Sequence, residues 1–303
     1  MASNSANNFP AAGEGGADHA LGSQERFLHR RRPRSAQLAE QREGPGVVLA
    51  ARWRGAYGAV GMLGSYRTIM EDKVSLLPSF FTWVDGSCMH FFAVFDGHGG
   101  PEVSVPCRDH MHAILADKLA RAAAAYPKEH LQDEEAEHHT WNAALTRSFA
   151  RADELGASGV PRGTIGGSTA VVALLVRGCI IVANCGDSRA VLSRDGPLSQ
   201  DHRLDQPEEM AHVTAAGGHT LLKPEVIWEP EITITARSED DDFVILASDG
   251  LWDVMSNQVA CNTTWKFLED KSTNAGTVVG REEEVRCIHA AFQLTDLAFH
   301  MHS

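Results

Sequence analysis

The stretch His90–Gly100, H-F-F-A-V-F-D-G-H-G-G, is the point from which the rest of the chain can be read. Six mostly apolar and aromatic residues stop abruptly at Asp96, and three glycines then surround His98. The apolar run is too short for a helix and suits a buried strand. The glycines allow a sharp turn and let the backbone come close to whatever Asp96 holds. A carboxylate at a strand end, beside a histidine on a glycine-rich turn, is a common setting for metal-assisted chemistry. It is equally the pattern of a strand followed by an ordinary Asp-Gly turn. On this stretch alone the two readings stand even.

Composition narrows the classes. A chain of 303 residues with 43% hydrophobic and 22% charged residues can bury a real core, as one large domain with a tail or as two domains. No apolar run approaches the roughly 18–20 residues that span a bilayer, and the N-terminus lacks the apolar core of a secretory signal. The six cysteines show no C-x-x-C pair and no framework spacing, which suits reduced thiols of an intracellular protein, cytoplasmic or nuclear. The net charge of −13 is uneven: residues 1–55 hold eight Arg and five acids, a net of +3, which leaves −16 for the rest. Such an acidic main domain argues against a nucleic-acid surface. It suits a soluble domain, or one that gathers carboxylates around divalent cations.

Residues 1–55 are rich in Ala, Gly, Ser, Asn and Arg, and their composition predicts a disordered extension. The basic cluster His29–Arg34 reads either as a solvated patch or as a nuclear-import or regulatory contact. Beyond it, the pattern predicts an edge strand over Tyr57–Leu63, a strand over Val74–Leu77, a loop from Pro78 to Gly86 and the strand 90–95. A helix opens at Pro101 and runs to about Ala125, with Met111, Ile114, Leu115 and Leu119 on one face. A second helix spans about Asp133 to Leu155, with Trp141, Leu145, Phe149 and Ala152 as its apolar stripe. Strands follow over Ser168–Val176, Cys179–Asn184 and Arg189–Ser193, joined by turns at Arg177-Gly178 and Asp195-Gly196. A helix over Pro207–Ala216, strands over Glu231–Ala236 and Phe243–Ala247, a helix over Asn257–Glu269 and a weak helix over Val285–Phe299 complete the order. Helices grouped apart from a run of strands fit antiparallel sheets packed against helices better than alternating β-α units.

Two short apolar strands, 90–95 and 243–247, end in Asp-Gly: Asp96-Gly97 and Asp249-Gly250. Glu71-Asp72 and Asp187 lie at other element ends. Each acid alone is more often a turn residue than a ligand. Acids at four such element ends in one acidic domain favour a site for a hard divalent cation, which prefers oxygen ligands.

Five motifs then stand in order: Arg67-x-x-Met70-Glu71-Asp72, Phe95-Asp96-Gly97-His98-Gly99-Gly100, Gly167-Ser168-Thr169-Ala170, Cys185-Gly186-Asp187-Ser188-Arg189-Ala190 and Ala247-Ser248-Asp249-Gly250-Leu251-Trp252-Asp253. In order and spacing the chain resembles the PPM-type, or type-2C, metal-dependent Ser/Thr protein phosphatases, particularly the plant branch near the abscisic-acid co-receptors. The resemblance covers about residues 57–270. It implies an α+β fold: a β-sandwich of two antiparallel sheets flanked by helices, in four layers α-β-β-α. The domains would be a disordered extension over 1–55, the phosphatase domain over 56–275 and an atypical tail over 276–303.

The resemblance further implies a pair of Mg2+ or Mn2+ ions, with a weaker third, and hydrolysis of phosphoserine or phosphothreonine by a hydroxide bound between the two metals. Asp96 would bridge the metals, the Gly97 carbonyl would bind one and Asp249 the other. Glu71 would hold metal-bound waters, with Asp72 nearby. Asp187 and Asp253 match the acids of the third site. Arg67 would grip the substrate phosphate, to which a planar guanidinium is well shaped. His98 would protonate the departing oxygen. Partners would be phosphorylated proteins such as kinases, with the protein acting as a monomer away from membranes and nucleic acids.

Two departures from the family pattern are visible. Gly217-Gly218 runs almost directly into Lys223-Pro224-Glu225-Val226, so a flap, one core strand and a Gly-Asp motif are missing between them. In the hormone co-receptor branch that segment carries the receptor-docking Trp, and Trp228 lies beyond the junction and is not its equivalent. No Asp-Asn pair follows Asp253, although the family's Asp-Asn motif supplies a metal ligand ahead of a final strand. A ligand fewer lowers the charge of the metal site. The second reading is therefore a catalytically impaired relative that acts as a binding or competitor protein.

Overall fold

The computed structural model describes residues 47–51, 56–61, 69–130, 133–159, 166–194, 196–202, 228–269 and 279–301, and the following account is confined to them. They all belong to one compact unit, residues 36–303. The strands are β1 (Val47–Ala51), β2 (Ala56–Val60), β3 (Lys73–Thr82), β4 (Cys88–Phe95), β5 (Gly97–His98), β6 (Gly167–Ser168), β7 (Ala170–Val176), β8 (Cys179–Cys185), β9 (Arg189–Leu192), β10 (Gly196–Pro197), β11 (Glu231–Ala236) and β12 (Phe243–Ala247). The helices are α1 (Ser104–Ala125), α2 (Glu134–Gly159), α3 (Asp249–Trp252), α4 (Asn257–Glu269) and α5 (Val279–Met301).

Two antiparallel sheets result, with orders β10-β9-β12-β1-β2 and β11-β8-β7-β4-β3. Successive side chains on a strand point to opposite faces, and here both faces are covered. From β4, Phe91, Ala93 and Phe95 meet Met111, Leu115 and Leu119 of α1 and Trp141, Leu145 and Phe149 of α2. Phe92 and Val94 point the other way, onto Val244 and Leu246 of β12 and Leu192 of β9. From β12, Phe243, Ile245 and Ala247 join α3, α4 and α5 in a third cluster. The unbroken apolar runs at 91–95 and 243–247 thus follow from burial on both faces, each large side chain contributing about 1.5–3 kcal/mol. The layers are α-β-β-α, as the resemblance implies.

Three elements differ from the sequence expectation. Strand β3 runs to Thr82 instead of stopping at Leu77. It tolerates Pro78 because it is the outer strand of its sheet and because its register with β4 shifts between Leu77 and Phe81, where Ser79 takes φ 51°. Strand β1 lies inside the stretch whose composition predicts disorder. V-V-L-A-A is the apolar island there, and it gains ladders on both sides, Val47 opposite Ala247 on one and Val60 on the other. The weak C-terminal helix is α5, a helix of 23 residues that buries Cys287, Ala290, Ala291, Leu294 and Ala298 completely. It lies against β2 so closely that a Cβ on Gly58 would come 2.5 Å from the Ile288 amide nitrogen. The small buried residues and the bare Gly58 are what allow that approach.

All six cysteines are free thiols, as their spacing suggests. No helix among the described residues is long and apolar enough to cross a membrane. Arg67, the basic cluster 29–34, the helix expected over Pro207–Ala216 and the junction at 217–223 lie outside the described residues.

Candidate metal centre

Asp96 follows the last residue of β4 and is 6% exposed. Its amide donates to the Thr169 hydroxyl (3.3 Å) and its carbonyl accepts from the Thr169 amide (2.9 Å), so the backbone on either side of the carboxylate is fixed. Burial pushes the Asp96 carboxyl up to about 10, helped by the charges of Asp72 and Asp249 and by hydrogen bonds to both. The acid at the end of β4 and the acid after β12 therefore meet, as the paired Asp-Gly strand ends suggest.

Asp72, read from the sequence with Glu71 as an acid at an element end that could join the metal site, is one of the two acids in contact with Asp96. Its Oδ2 accepts from the hydroxyl of Ser248 at 2.9 Å. That bond ties the entry to β3 in one sheet to the residue before Asp249 in the other. Glu71 is turned toward the glycine-rich loop. Its Oε1 accepts from the Gly100 amide at 2.8 Å, and its carbonyl accepts from the Ser104 hydroxyl at 2.5 Å. Ser104, fully buried, begins α1. Lys73 donates to the carbonyls of Met70 (2.6 Å) and Asp72 (3.1 Å), which fixes the same segment. Burial, and secondarily Arg108, lowers the pKa of that ammonium.

Gly97 and His98 form the short strand β5 and pair with Ser168 and Gly167 of β6. The His98 ring lies over Gly167, where a Cβ would come 2.4 Å from Nε2. His98 itself is exposed. Asp249 opens α3 after the extended Ser248 (φ −76°, ψ 172°). The Asp253 amide closes that turn on the Asp249 carbonyl at 2.8 Å, and the Asp253 side chain is exposed. Asp187 is half-buried in the turn where the chain leaves β8 in one sheet and enters β9 in the other.

The candidate donors are carboxylates and a glycine carbonyl, with Asp96 and Asp72 buried among them. That chemistry fits a hard divalent cation. In this structure the carboxyl of Asp96 shares hydrogen bonds with those of Asp72 and Asp249. Among the described residues no three or more His, Cys, Asp and Glu are arranged as a closed ligand set. The hydroxyls of Ser104, Thr169 and Ser248 support the site but were not singled out by the motifs. Thr169 and Ser248 stand inside the quoted motifs next to small residues, and that adjacency was the available signal. Ser104 gives none.

The fold and the acids together define a class: a four-layer sandwich with an all-oxygen carboxylate cluster where its two sheets meet. The profile of the family "Protein phosphatase 2C" matches residues 58–221 and 218–283. A rice relative (Oryza sativa subsp. japonica) named probable protein phosphatase 2C 37 is 39% identical over 351 aligned residues, which cover 83% of this chain and 74% of the relative. Probable protein phosphatase 2C 75 of Arabidopsis thaliana is 37% identical over 290 residues, covering 80% and 69%. Among solved structures, serine-threonine phosphatase 2C from Toxoplasma gondii superposes with TM-score 0.63 at 18% identity over 85% of this chain and 90% of that one. A C. elegans sex determining protein gives 0.54 at 19% identity, over 86% and 67%. The chain belongs to the protein phosphatase 2C family.

The alignment with the rice relative, at 351 residues, is longer than the 303-residue chain, so that relative carries stretches with no counterpart here. The two family matches overlap at 218–221, which is where the sequence runs from Gly217-Gly218 almost directly into Lys223.

Proposed function

We propose that the chain is a metal-dependent protein phosphatase that hydrolyses phosphoserine and phosphothreonine side chains. The observation that carries this reading is the buried Asp96 in contact with Asp72 and Asp249, two residues from an exposed histidine, in a chain of this family. Asp96, the Gly97 carbonyl, Asp72 and Asp249 would hold two Mg2+ or Mn2+ ions, and Asp187 and Asp253 would hold a weaker third. Ions bound there would supply Lewis-acid chemistry, polarising the phosphoryl group and lowering the pKa of water toward neutral. Glu71 orients water at the edge of the site, and Arg67 binds the substrate phosphate. His98, open to solvent beside the acids, gives its proton to the departing serine or threonine oxygen. The substrates are phosphorylated proteins such as kinases, met by a monomer in cytoplasm or nucleus.

The test uses purified 1–303 with Mn2+ and a phosphothreonine peptide, against Asp96→Ala. Phosphate release well above that control is the expected result. Equal rates would replace this reading with a binding or competitor role.

A further inference from the structure

The carboxylates that meet at the centre come from different sheets: Asp96 follows β4, and Asp249 follows β12. Something must fix their separation, because a cation between them tolerates little error. The chain crosses between the sheets at Gly186-Asp187-Ser188, and this crossover is pressed onto the Asp96 side. A Cβ on Gly186 would come 2.6 Å from the Thr169 side chain, and the Ser188 hydroxyl shares a 2.7 Å hydrogen bond with the Thr169 hydroxyl. Thr169 is the residue whose amide and hydroxyl hold the Asp96 backbone.

The next residue, Arg189, faces the Asp249 side. Its guanidinium takes both oxygens of Asp201, Nε to Oδ1 at 2.7 Å and a terminal nitrogen to Oδ2. The other terminal nitrogen donates to Asn257 Oδ1 at 2.7 Å, and the carbon of the guanidinium lies 5.1 Å from the centre of the Trp252 ring. Trp252 ends the turn that Asp249 begins, and its indole N–H donates to the Ala247 carbonyl at 3.0 Å. Asn257 starts α4. Arg189 therefore flanks the Asp249–Asp253 turn on both sides: its side chain meets Trp252 and Asn257, and its backbone pairs with Ala247 before the turn. Its own charge is matched by the buried Asp201, so it can act by shape without repelling a cation.

We propose that Arg189 is a positioning residue for the metal centre. With Ser188 it forms a two-sided strap that sets the distance between Asp96 and Asp249. The proposal rests on the metal-dependent reading above. A lysine keeps the charge but loses the planar, bidentate and stacked contacts.

The full 303-residue chain would be titrated with Mn2+, then Mg2+, by calorimetry, as wild type, Arg189→Lys, Asp201→Asn and the double variant. Metal-free melting temperatures would be taken alongside. Arg177→Lys serves as control, because Arg177 makes a comparable clamp on Asp85 and Glu137 beyond the opposite end of β7. The expected result is a loss of Mn2+ affinity of about 10-fold or more in Arg189→Lys, within the range for residues that orient metal ligands. The Mg2+ loss is larger, since Mg2+ demands the stricter geometry. Asp201→Asn shows the same trend, the double variant adds little, and Arg177→Lys binds as wild type. Wild-type affinity in both Arg189→Lys and Asp201→Asn overturns the proposal. So does an equal loss in Arg177→Lys at a similar melting temperature, which would make the effect general destabilisation. A wild-type chain that binds no Mn2+ overturns the metal reading and the strap together. If Arg189→Lys does not fold, Asp201→Asn decides by the same criteria.

Discussion

The β4 sheet with α1 and α2 is drawn, β11 apart, from one continuous run of chain between Lys73 and Cys185, whereas the β12 sheet is gathered from Val47–Val60, Arg189–Pro197 and Phe243–Ala247. The first half carries Asp96 within a dense set of bonds from nearby motifs. The second carries Asp249 on a helix of four residues, held by Arg189 and by the Ser248–Asp72 bond. Both halves supply a carboxylate, but one is placed mainly by local structure and the other by contacts across long stretches of sequence. Damage to the first half should remove chemistry outright. Damage to the second should show first in stability and cation affinity.

The largest expected effect tests the first half. Asp96→Ala lowers Mn2+-dependent phosphate release by on the order of 10^3-fold or more, as follows from losing the group that gathers the reacting partners. Circular dichroism should show an intact fold. Next comes the second half: Gly58→Val drives a side chain into the α5 backbone and costs about 3 kcal/mol in a urea titration, at the upper end for overpacking. A midpoint equal to wild type would mean that α5 does not bear on β2.

A smaller effect separates His98 from the acids. His98→Ala slows a phosphothreonine peptide by about 10^2-fold, the usual contribution of a general acid. It leaves p-nitrophenyl phosphate nearly unchanged, because that leaving group departs without a proton. Gly167→Ala, which displaces the ring, shows the same selectivity to a lesser degree.

The smallest concerns pH. Between the ordinary 3.8 and about 10, the folded chain keeps a proton on Asp96 that the unfolded chain has released. Stability from this group is therefore full below the lower value and is lost as pH rises toward the upper one. The metal-free melting temperature should fall from pH 6 to pH 9, and Asp96→Asn should flatten that fall and raise stability by on the order of 1 kcal/mol. Stabilisation by Mn2+ should grow over the same interval, as the competing proton leaves.

How far the sequence foretold this differs between the two halves. Phe91 to Phe95 and Phe243 to Ala247 are legible as buried strands because unbroken apolar runs ending in Asp-Gly have few other uses. The grouping of Asp72, Asp96 and Asp249 is legible because strand ends collect at the ends of a sandwich. Strand β1 is not, since V-V-L-A-A is worth a strand only when β12 and β2 already flank it. Nor is β3 beyond Pro78, where an outer position and a bulge remove the usual objection to proline. Half of the fully buried residues of α5 are alanine, which gives little periodic signal although the helix fits closely against Gly58. The contacts of Arg189 with Asp201, Asn257 and Trp252 join residues 12 to 68 positions apart, and no local pattern encodes them.

The place of β1 also bears on how the protein is made. Val47–Ala51 leaves the ribosome early, but its partner Phe243–Ala247 follows about two hundred residues later, a wait of roughly 10–40 s at typical rates of synthesis. Until then an apolar strand has one open edge, which is the exposure that invites chaperones or misassembly. The sheet closes only when the far end of the chain arrives, so synthesis interrupted before Ala247 leaves the Asp96 half without its counterpart.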